Sequence, residues 1–261
     1  MTPTDIAVPG FEFERVAGGL VTARPEAAVW CREALVQHGS LHSAATKQAA
    51  RHLQGRGPVP VILNPSGDGP EWVVRHYRRG GAMRILDDRF VRLGVPRSLQ
   101  EVDSSVRAQL LGINTPRVIA AAVYPSGLFY RADLITEFVS DARELADVLL
   151  GTSDPPSPPD DGDTRALALR CTDRLITSMV TNGLRHPDLN ARNILLVRTA
   201  GGMDAILLDL DQCAIRDGGG LDESTGLRQR LAGSIRKLAR TRPGDVGEEE
   251  LKVILNEVTG S

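Results

Sequence analysis

The chain is 261 residues long, 41% hydrophobic and 25% charged, with a formal net charge of −2. This length and composition are ordinary for a globular protein that buries a substantial core. The near-zero net charge excludes a strong overall attraction to nucleic acid or anionic lipid, so such an attraction must be local and we expect no nucleic-acid partner. No run approaches 18 apolar residues, so the sequence predicts no bilayer span.

The N-terminal half predicts strands interleaved with helices. Helices are expected where apolar residues recur at helical spacing, and strands where short apolar runs flank clusters of turn formers. The expected elements are a helix over 25–38, strands over 58–63 and 71–77, a helix over 97–111, and strands over 117–124 and 130–138.

The C-terminal half predicts mainly helices. Residues 138–140 are expected as a hinge, followed by a helix over 141–150. The segment 151–163 is rich in Pro, Asp and Ser, which favour neither a helix nor a packed core, so we predict a flexible surface insertion there. Further helices are expected over 165–182, 227–240 and 248–258.

The segment from His186 to Asp211 carries the clearest chemical signal. Asp188 lies five residues before Asn193, which precedes an apolar run, and a second apolar run ends at Asp209. Protein-kinase-like folds transfer phosphoryl groups with this order of carboxylate, amide and aspartate-ended strand. The pattern predicts Asp188 as the catalytic base, and Asn193 and Asp209 as ligands of a Mg²⁺ ion that bridges nucleotide phosphates.

Each of these polar residues taken singly has a simpler interpretation, since Asp and Asn commonly form turns and cap helices. Their joint spacing and their loop–strand context favour the kinase interpretation. We therefore predict an α+β fold of the two-lobed, protein-kinase-like type. A small, β-rich N-lobe is expected over 1–138 and a mainly helical C-lobe over 139–261.

Four sequence blocks make the chain similar to a known family. They are VRHYRRGG at 74–81, ADLITE at 132–137, HPDLNARNILL at 186–196 and LLDLDQC at 207–213. With them the chain resembles the Kdo (3-deoxy-D-manno-octulosonic acid) kinases of the lipopolysaccharide kinase family. The resemblance implies transfer of the ATP γ-phosphate to a hydroxyl, the 4-OH, of the Kdo sugar on lipid A precursor. It also implies a peripheral location on the cytoplasmic face of a bacterial inner membrane.

The resemblance implies further site residues, with Asp211 as a second acidic ligand for Mg²⁺. Asn190 stands where protein kinases place a lysine that touches the γ-phosphate, and an amide there donates a hydrogen bond without charge. Arg75 occupies the position of the strand lysine that contacts the α- and β-phosphates, with Glu101 as its expected partner; the alternative is an ordinary strand-edge arginine. Glu137 and Val139, beside the hinge, complete the expected nucleotide-binding set.

A glycine-rich loop over the phosphates is expected at Gly55, Arg56 and Gly57. Glycines permit close approach of the backbone to phosphate, but the segment is not Gly-x-Gly-x-x-Gly, and a plain turn is the alternative. His186 is expected to brace the catalytic loop rather than to act as a base, because Asp188 fills that role.

A dense basic cluster begins at the Arg75 strand, although the chain as a whole is nearly neutral. It consists of Arg75, His76, Arg78, Arg79, Arg84, Arg89, Arg92 and Arg97. One interpretation is a solvated face. The other is a surface for the phosphates of lipid A precursor or for the head groups of an anionic membrane.

The cysteines and the N-terminus predict a reducing compartment. Cys31, Cys171 and Cys213 are odd in number and lack metal-ligand spacing, so we expect free thiols in the cytoplasm. Charged residues such as Asp5 and Glu12 interrupt the N-terminal segment, so no secretory signal is expected.

Two other functions stay open at this point. One is a small-molecule kinase of aminoglycoside or choline type, which shares the core but uses a soluble acceptor. The basic cluster disfavours it, because a cationic acceptor calls for an acidic pocket. The other is a non-catalytic pseudokinase scaffold, which the presence of Asp188, Asn193 and Asp209 disfavours.

Overall fold

A computed structural model of the chain describes residues 8–53, 58–78, 88–91, 94–153, 155–216 and 221–256. The chain divides into two compact units. The N-terminal unit comprises Met1–Val106 and Pro116–Phe138, and the C-terminal unit comprises Arg107–Thr115 and Val139–Ser261. Both units mix helices and strands, which confirms the α+β class. No helix in the described ranges is long and apolar enough to span a bilayer.

One antiparallel sheet organises the N-terminal unit. The elements are β1 (Glu12–Val16), β2 (Gly19–Ala23), α1 (Pro25–His38), α2 (Leu41–Gln48), β3 (Arg51–Leu53), β4 (Val59–Ile62), β5 (Trp72–His76), β6 (Phe90–Val91), α3 (Arg97–Leu110), β7 (Val118–Ser126) and β8 (Phe129–Glu137). The strand order is β1-β2-β7-β8-β5-β4-β3, and β6 pairs with β8. Between β5 and β8, Arg75 lies opposite Leu134 and His76 opposite Asp133.

The two faces of this sheet carry separate hydrophobic cores. One core joins Trp72, Val74 and Ile135 to buried residues of α1 and α2. The other joins Tyr77 and Leu134 to buried residues of α3. Because side chains alternate along a strand, neighbouring residues of β5 point into different cores.

Local sequence explains where α1 ends and α2 begins. Gly39 ends α1 with φ 73°, the left-handed conformation that glycine adopts without steric cost. Ser40 then caps α2, because its side chain accepts a hydrogen bond from the Ser43 N–H. Two adjacent small residues therefore separate the helices that cover one face of the sheet.

The C-terminal unit packs helices around short strand pairs. Its elements after the end of α3 are β9 (Arg143–Glu144), α4 (Leu145–Leu150), β10 (Thr152–Ser153), β11 (Pro156–Ser157), α5 (Gly162–Thr181), β12 (Leu184–Arg185), β13 (Ile194–Thr199), β14 (Gly202–Leu207), β15 (Ala214–Ile215), α6 (Leu221–Ala239) and α7 (Glu248–Leu255). Its core takes residues from α4, α5, α6 and the β13–β14 hairpin. No disulfide joins the three cysteines, all of which are described.

The segment 151–163, predicted as a flexible insertion, contains regular backbone pairs before α5 begins at Gly162, and its flexibility stays a prediction. Its described residues form a short hairpin in which Thr152 pairs with Ser157. The Asp160 N–H donates to the Val148 carbonyl at 3.0 Å, and the Asp160 carboxylate pairs with Arg143 at 2.6 Å. Proline is disfavoured inside a helix but is compatible with a tight hairpin, so these prolines do not prevent the backbone pairs described above.

Candidate active site

The catalytic loop connects β12 to β13 in the C-terminal unit. Leu189 and Ala191 are buried in the core, whereas the Asp188 side chain is exposed. The side-chain amides of Asn190 and Asn193 both donate from Nδ2 to the Asp188 carbonyl, at 2.9 and 3.3 Å. These bonds fix the backbone of Asp188 and leave its carboxylate at the surface, where an incoming hydroxyl can reach it.

Asn190 braces this loop from both ends of its side chain. Besides the bond from Nδ2 to Asp188, its Oδ1 accepts a hydrogen bond from the Arg192 N–H at 3.0 Å. Nδ2 carries a second hydrogen, which is the one that a phosphate would meet. Its contact with a γ-phosphate stays a prediction, and the structure adds a positioning role towards Asp188.

Asn193 and Asp209 are held together by the peptide groups around Leu208. The Leu208 N–H donates to the Asn193 carbonyl at 2.8 Å. The buried His186 ring donates from Nε2 to the Leu208 carbonyl at 3.2 Å. His186 thus contacts the peptide group that leads into Asp209, which supports the bracing role expected of it.

The backbone of Asp209 adopts an uncommon conformation. Its φ is +64°, in the left-handed region that aspartate enters more readily than most residues. Such conformations persist where the surrounding structure holds them, and they concentrate at functional sites. The half-buried Asp209 is followed two residues later by Asp211, which is buried.

The donor set fits a hard cation. Asn193 uses Nδ2 to bind the Asp188 carbonyl, so Oδ1 is its atom for a metal, and Asp209 adds a carboxylate. Oxygen donors of this kind are the ligands that Mg²⁺ prefers. Within the residues that the structure covers, no three His, Cys, Asp or Glu side chains gather closely enough to hold a metal by themselves. A Mg²⁺ ion shared with nucleotide phosphates needs no such cluster.

A glycine lies where the chain closes around the two loops that carry the predicted base, Asp188, and the predicted metal ligand, Asp209. Strands β12 and β15 pair, so one short ladder brackets both loops. Gly183 precedes this ladder with φ +67°, and a Cβ atom added there would lie 1.7 Å from the Arg216 carbonyl oxygen. Only glycine fits at this position.

The N-terminal unit contains the expected ion pair of Arg75 and Glu101. Arg75 Nη2 donates to Glu101 Oε1, and the Tyr77 hydroxyl donates to Glu101 Oε2. The Arg75 side chain is 33% exposed and that of Glu101 only 4%. A guanidinium has five donors in a planar fork, so it can pair with a carboxylate and a phosphate at once. Tyr77 is not among the residues predicted from the sequence, although its spacing of two from Arg75 places both side chains on one face of the strand.

The other expected nucleotide-binding residues are only partly described. The glycine loop at 55–57 lies outside the described residues. The Glu137 N–H donates to the Arg117 carbonyl at 2.9 Å, and the Glu137 carboxylate accepts from the Arg117 guanidinium at 3.0 Å. Val139 is half-buried at the start of the second part of the C-terminal unit. Nucleotide binding by Glu137 and Val139 stays a prediction.

The basic cluster is not one uniform surface. Arg79, Arg84 and Arg92 lie outside the described residues. Arg97 places its guanidinium carbon 5.3 Å from the centroid of the Phe90 ring. His76 does not join Arg75 at all, which corrects its assignment to the cluster, because consecutive side chains of a strand point to opposite faces.

A buried polar network surrounds His76 on that opposite face. The carboxylate of the fully buried Asp133 accepts from the His42 N–H at 2.9 Å, the Tyr124 hydroxyl at 2.7 Å and His76 Nδ1 at 2.6 Å. His42 lies in the first turn of α2, where the helix dipole favours an anion. Burial disfavours the charged His76 ring, but the carboxylates of Asp133 and Asp88 outweigh it, so the pKa of His76 is raised. An aspartate inside the apolar run of β8 was the available sequence signal.

Comparison with known proteins gives a consistent family. A sequence profile of the lipopolysaccharide kinase (Kdo/WaaP) family matches residues 45–241. A 3-deoxy-D-manno-octulosonic acid kinase of Haemophilus influenzae (strain PittEE) is 32% identical over 170 residues, 63% of this chain and 66% of that protein. One from Vibrio parahaemolyticus is 29% identical over 224 residues, 80% of this chain and 84% of that protein. The structure of WaaP in complex with acyl carrier protein aligns over 90% of this chain and 91% of its own, at 16% identity and TM-score 0.49.

The extent of these matches differs between relatives. The chain spans just under two thirds of the Haemophilus kinase, at 66%, and 64% of a Photobacterium profundum kinase of the same name. The family profile, by contrast, begins in α2 and ends just after α6, so it includes β5, α3, the catalytic loop and Asp209.

Proposed function

Because the chain belongs to the lipopolysaccharide kinase (Kdo/WaaP) family, we propose that it is an ATP-dependent kinase that phosphorylates a hydroxyl of a Kdo sugar. The profile match confirms the family resemblance found in the sequence. The names of the Haemophilus and Vibrio relatives support Kdo as the acceptor. The finer proposal is that the acceptor is the 4-OH of Kdo on lipid A precursor.

The observation that carries this proposal is the geometry of the catalytic loop. Two asparagine amides fix the Asp188 backbone while its carboxylate stays exposed. Asp188 accepts the proton of the sugar hydroxyl as the hydroxyl oxygen attacks the γ-phosphorus, and ADP leaves. A carboxylate that is held through its backbone needs no side-chain contact that would compete with this proton transfer.

The remaining residues position the nucleotide in this proposal. Asn193 and Asp209 would hold Mg²⁺, which supplies positive charge against the phosphates. Arg75, held by Glu101, would contact the α- and β-phosphates and add fixed positive charge. Asn190 would keep Asp188 in place and offer its second amide hydrogen to the γ-phosphate.

The proposed location follows from the proposed acceptor. A lipid-linked sugar requires the enzyme to work at a membrane surface, which we propose is the cytoplasmic face of the inner membrane. The exposed Arg89 of the basic cluster supplies local positive charge in the N-terminal unit. Arginines of this kind suit the phosphates of the acceptor or anionic head groups.

The direct experiment is an acceptor panel. The protein is incubated with γ-labelled ATP and either Kdo-linked lipid A precursor, aminoglycosides or choline, and NMR of the product locates the phosphate. We expect label on the Kdo lipid alone, at the 4-OH. Asp188→Asn removes the proposed base. Its matched control is Asp163→Asn, which changes an exposed carboxylate in the first turn of α5. Label on an aminoglycoside or choline in place of the Kdo lipid would contradict the proposal.

A second experiment tests the proposed metal ligand. Asparagine tolerates the left-handed backbone of Asp209, so Asp209→Asn removes the negative charge with little added strain. We expect the gain in ATP affinity on adding Mg²⁺ to fall by about tenfold or more, because a hard cation loses its anionic ligand. Calorimetry with and without Mg²⁺ measures it, and an unchanged gain would remove Asp209 from the metal site.

A further inference from the structure

Tyr77 and Arg75 both donate hydrogen bonds to the Glu101 carboxylate. Tyr77 directly follows β5, and its N–H donates to the Ala132 carbonyl at 3.0 Å, so the ladder with β8 continues through it. Its hydroxyl donates to Glu101 Oε2, while Arg75 donates to Oε1. Each oxygen of this buried carboxylate therefore has its own donor, one neutral and one cationic.

The packing of the Tyr77 ring fixes the direction of the hydroxyl. The ring is 9% exposed and meets the Phe90 ring edge-on, with centroids 6.4 Å apart and planes at 85°. The Phe90 ring in turn stacks on Tyr130 at 5.6 Å. An aromatic ring enclosed in this way has few alternative orientations, so its hydroxyl stays directed at Glu101.

The two donors have different access to solvent, and this separates their roles. Arg75 is one third exposed and carries the charge that a phosphate would meet. A change of rotamer at Glu101 would move the carboxylate that orients the Arg75 guanidinium. The Tyr77 hydroxyl restrains the carboxylate from a buried position and is directed at Glu101.

We propose that Tyr77 is a positioning residue for nucleotide binding: it holds Glu101 so that the Arg75 guanidinium keeps the orientation that contacts phosphate. This inference rests on the proposed function, since it gives Arg75 a phosphate ligand. It adds to that function a residue that touches neither the nucleotide nor the acceptor and acts through Glu101.

The chain offers a matched control. Tyr124 is also buried, at 7% exposure, and its hydroxyl also donates to a buried carboxylate, that of Asp133 at 2.7 Å. Its ring belongs to the core on the other face of the sheet. Tyr124→Phe therefore removes a buried hydroxyl that donates to a buried carboxylate, and it leaves the pair of Arg75 and Glu101 untouched; this hydroxyl also accepts from the Leu41 N–H at 2.9 Å.

The test measures Mg-ATP affinity by calorimetry, together with the Michaelis constants for ATP and acceptor, in wild type, Tyr77→Phe and Tyr124→Phe. We expect Tyr77→Phe to weaken ATP binding by about tenfold, which is the size of a lost hydrogen bond to a charged group. The Michaelis constant for the acceptor should stay within about twofold of wild type. Tyr124→Phe should leave both within about twofold. Equal ATP affinity in Tyr77→Phe and wild type would overturn the inference.

A double variant tests whether Tyr77 acts through Arg75. If it does, Tyr77→Phe should change ATP affinity by less than about twofold in an Arg75→Ala background, because the residue that it positions is gone. A full tenfold loss in that background would overturn the positioning role. Weaker ATP binding in Tyr77→Phe supports the inference even if no Kdo acceptor is phosphorylated, and that result would contradict only the proposed acceptor. A wild-type protein that binds no ATP would contradict both.

Discussion

Glu101 and Asp133 are two buried carboxylates on opposite faces of the same strand pair, and they differ in what their cationic partners can reach. Each accepts a hydrogen bond from a buried tyrosine hydroxyl. Glu101 also binds Arg75, whose side chain is 33% exposed, whereas Asp133 binds His76, whose side chain is 13% exposed. Burial of a carboxylate therefore does not by itself indicate function. We propose that the access of its partner to solvent distinguishes the pair of Arg75 and Glu101, which can meet a ligand, from the structural pair of His76 and Asp133.

Their remaining contacts strengthen this contrast. Asp133 also accepts from the first turn of α2, so it fastens a helix to the sheet. Glu101 fastens side chains of its own face. Asp188 is the opposite case, a carboxylate that is exposed while its backbone is fixed. We expect substitutions of these three residues to divide between activity and stability accordingly.

The largest effect is expected at Asp188, the carboxylate with no share in either buried network. Asp188→Ala should lower kcat by about 10²–10⁴-fold, the usual cost of removing a general base. The midpoint of thermal unfolding should move by less than about 2 °C, since an exposed side chain contributes little to stability. Steady-state kinetics and calorimetry measure the two quantities. More than half of wild-type turnover would exclude Asp188 as the base.

The next effect is on stability. Asp133→Asn should lower the free energy of unfolding by about 3 kcal/mol, because three donors lose a buried anionic acceptor. Its Michaelis constant for ATP should stay within about twofold of wild type. Urea unfolding measures the first quantity, with Asp68→Asn as the same chemical change at an exposed position of the same unit. A loss no larger than that of the control would remove the structural role of Asp133.

A smaller effect tests the functional face. Arg75→Lys keeps the charge but loses the planar fork, so ATP affinity should fall by about tenfold, and Arg75→Ala should lose more. Both variants should lose much less stability than Asp133→Asn. Equal ATP affinity in wild type and both variants would place Arg75 outside the nucleotide site.

The smallest effect is a pH dependence on the structural face. The pKa of His76 is raised, so its stabilising effect is complete below the ordinary histidine value of about 6.5 and is lost as pH rises through the raised value. His42, whose ring centroid lies 5.4 Å away, has a lowered pKa through burial and acts with the opposite sign. A variant at position 76 alone is therefore needed to separate the effect of His76 from that of His42.

We expect the stability difference between wild type and His76→Gln to be largest near pH 6 and to shrink as the pH rises towards 8.5, because the His76 ring, whose pKa is raised, loses its proton in that range. Urea unfolding across this range measures it, with the exposed His52→Gln as the control. A difference that grows with pH would reverse the sign of the His76 contribution and contradict its pairing with Asp133.

Elements that are bounded by clear start and stop residues were predictable from sequence. The helix expected over 25–38 is α1, Pro25–His38, because Pro25 starts it and Gly39 ends it. The helix expected over 97–111 is α3, and the strand pairs around the two turn clusters are β4 with β5 and β7 with β8. In these segments the local signals and the tertiary structure agree.

Elements that depend on distant partners were not predictable. Helix α2 buries mainly small residues such as Ala44 and Ala45, a weak hydrophobic signal, and its start is bound by Asp133, 91 residues away. The same holds at the candidate site. The pairing of Arg75 with Glu101 could be expected by resemblance, whereas the contacts of Tyr77 and Asp133 required the fold to bring separate segments together.

The proposed site also depends on Gly183, a residue with no functional group. It lies where the chain enters the ladder that closes the catalytic and metal loops, against the Arg216 carbonyl. Any side chain there would push apart the two ends of a ring that contains Asp188, Asn193 and Asp209, and so would impair all three without altering one of them. The absence of a side chain at position 183 is therefore as strict a requirement of the proposed site as the presence of its carboxylates.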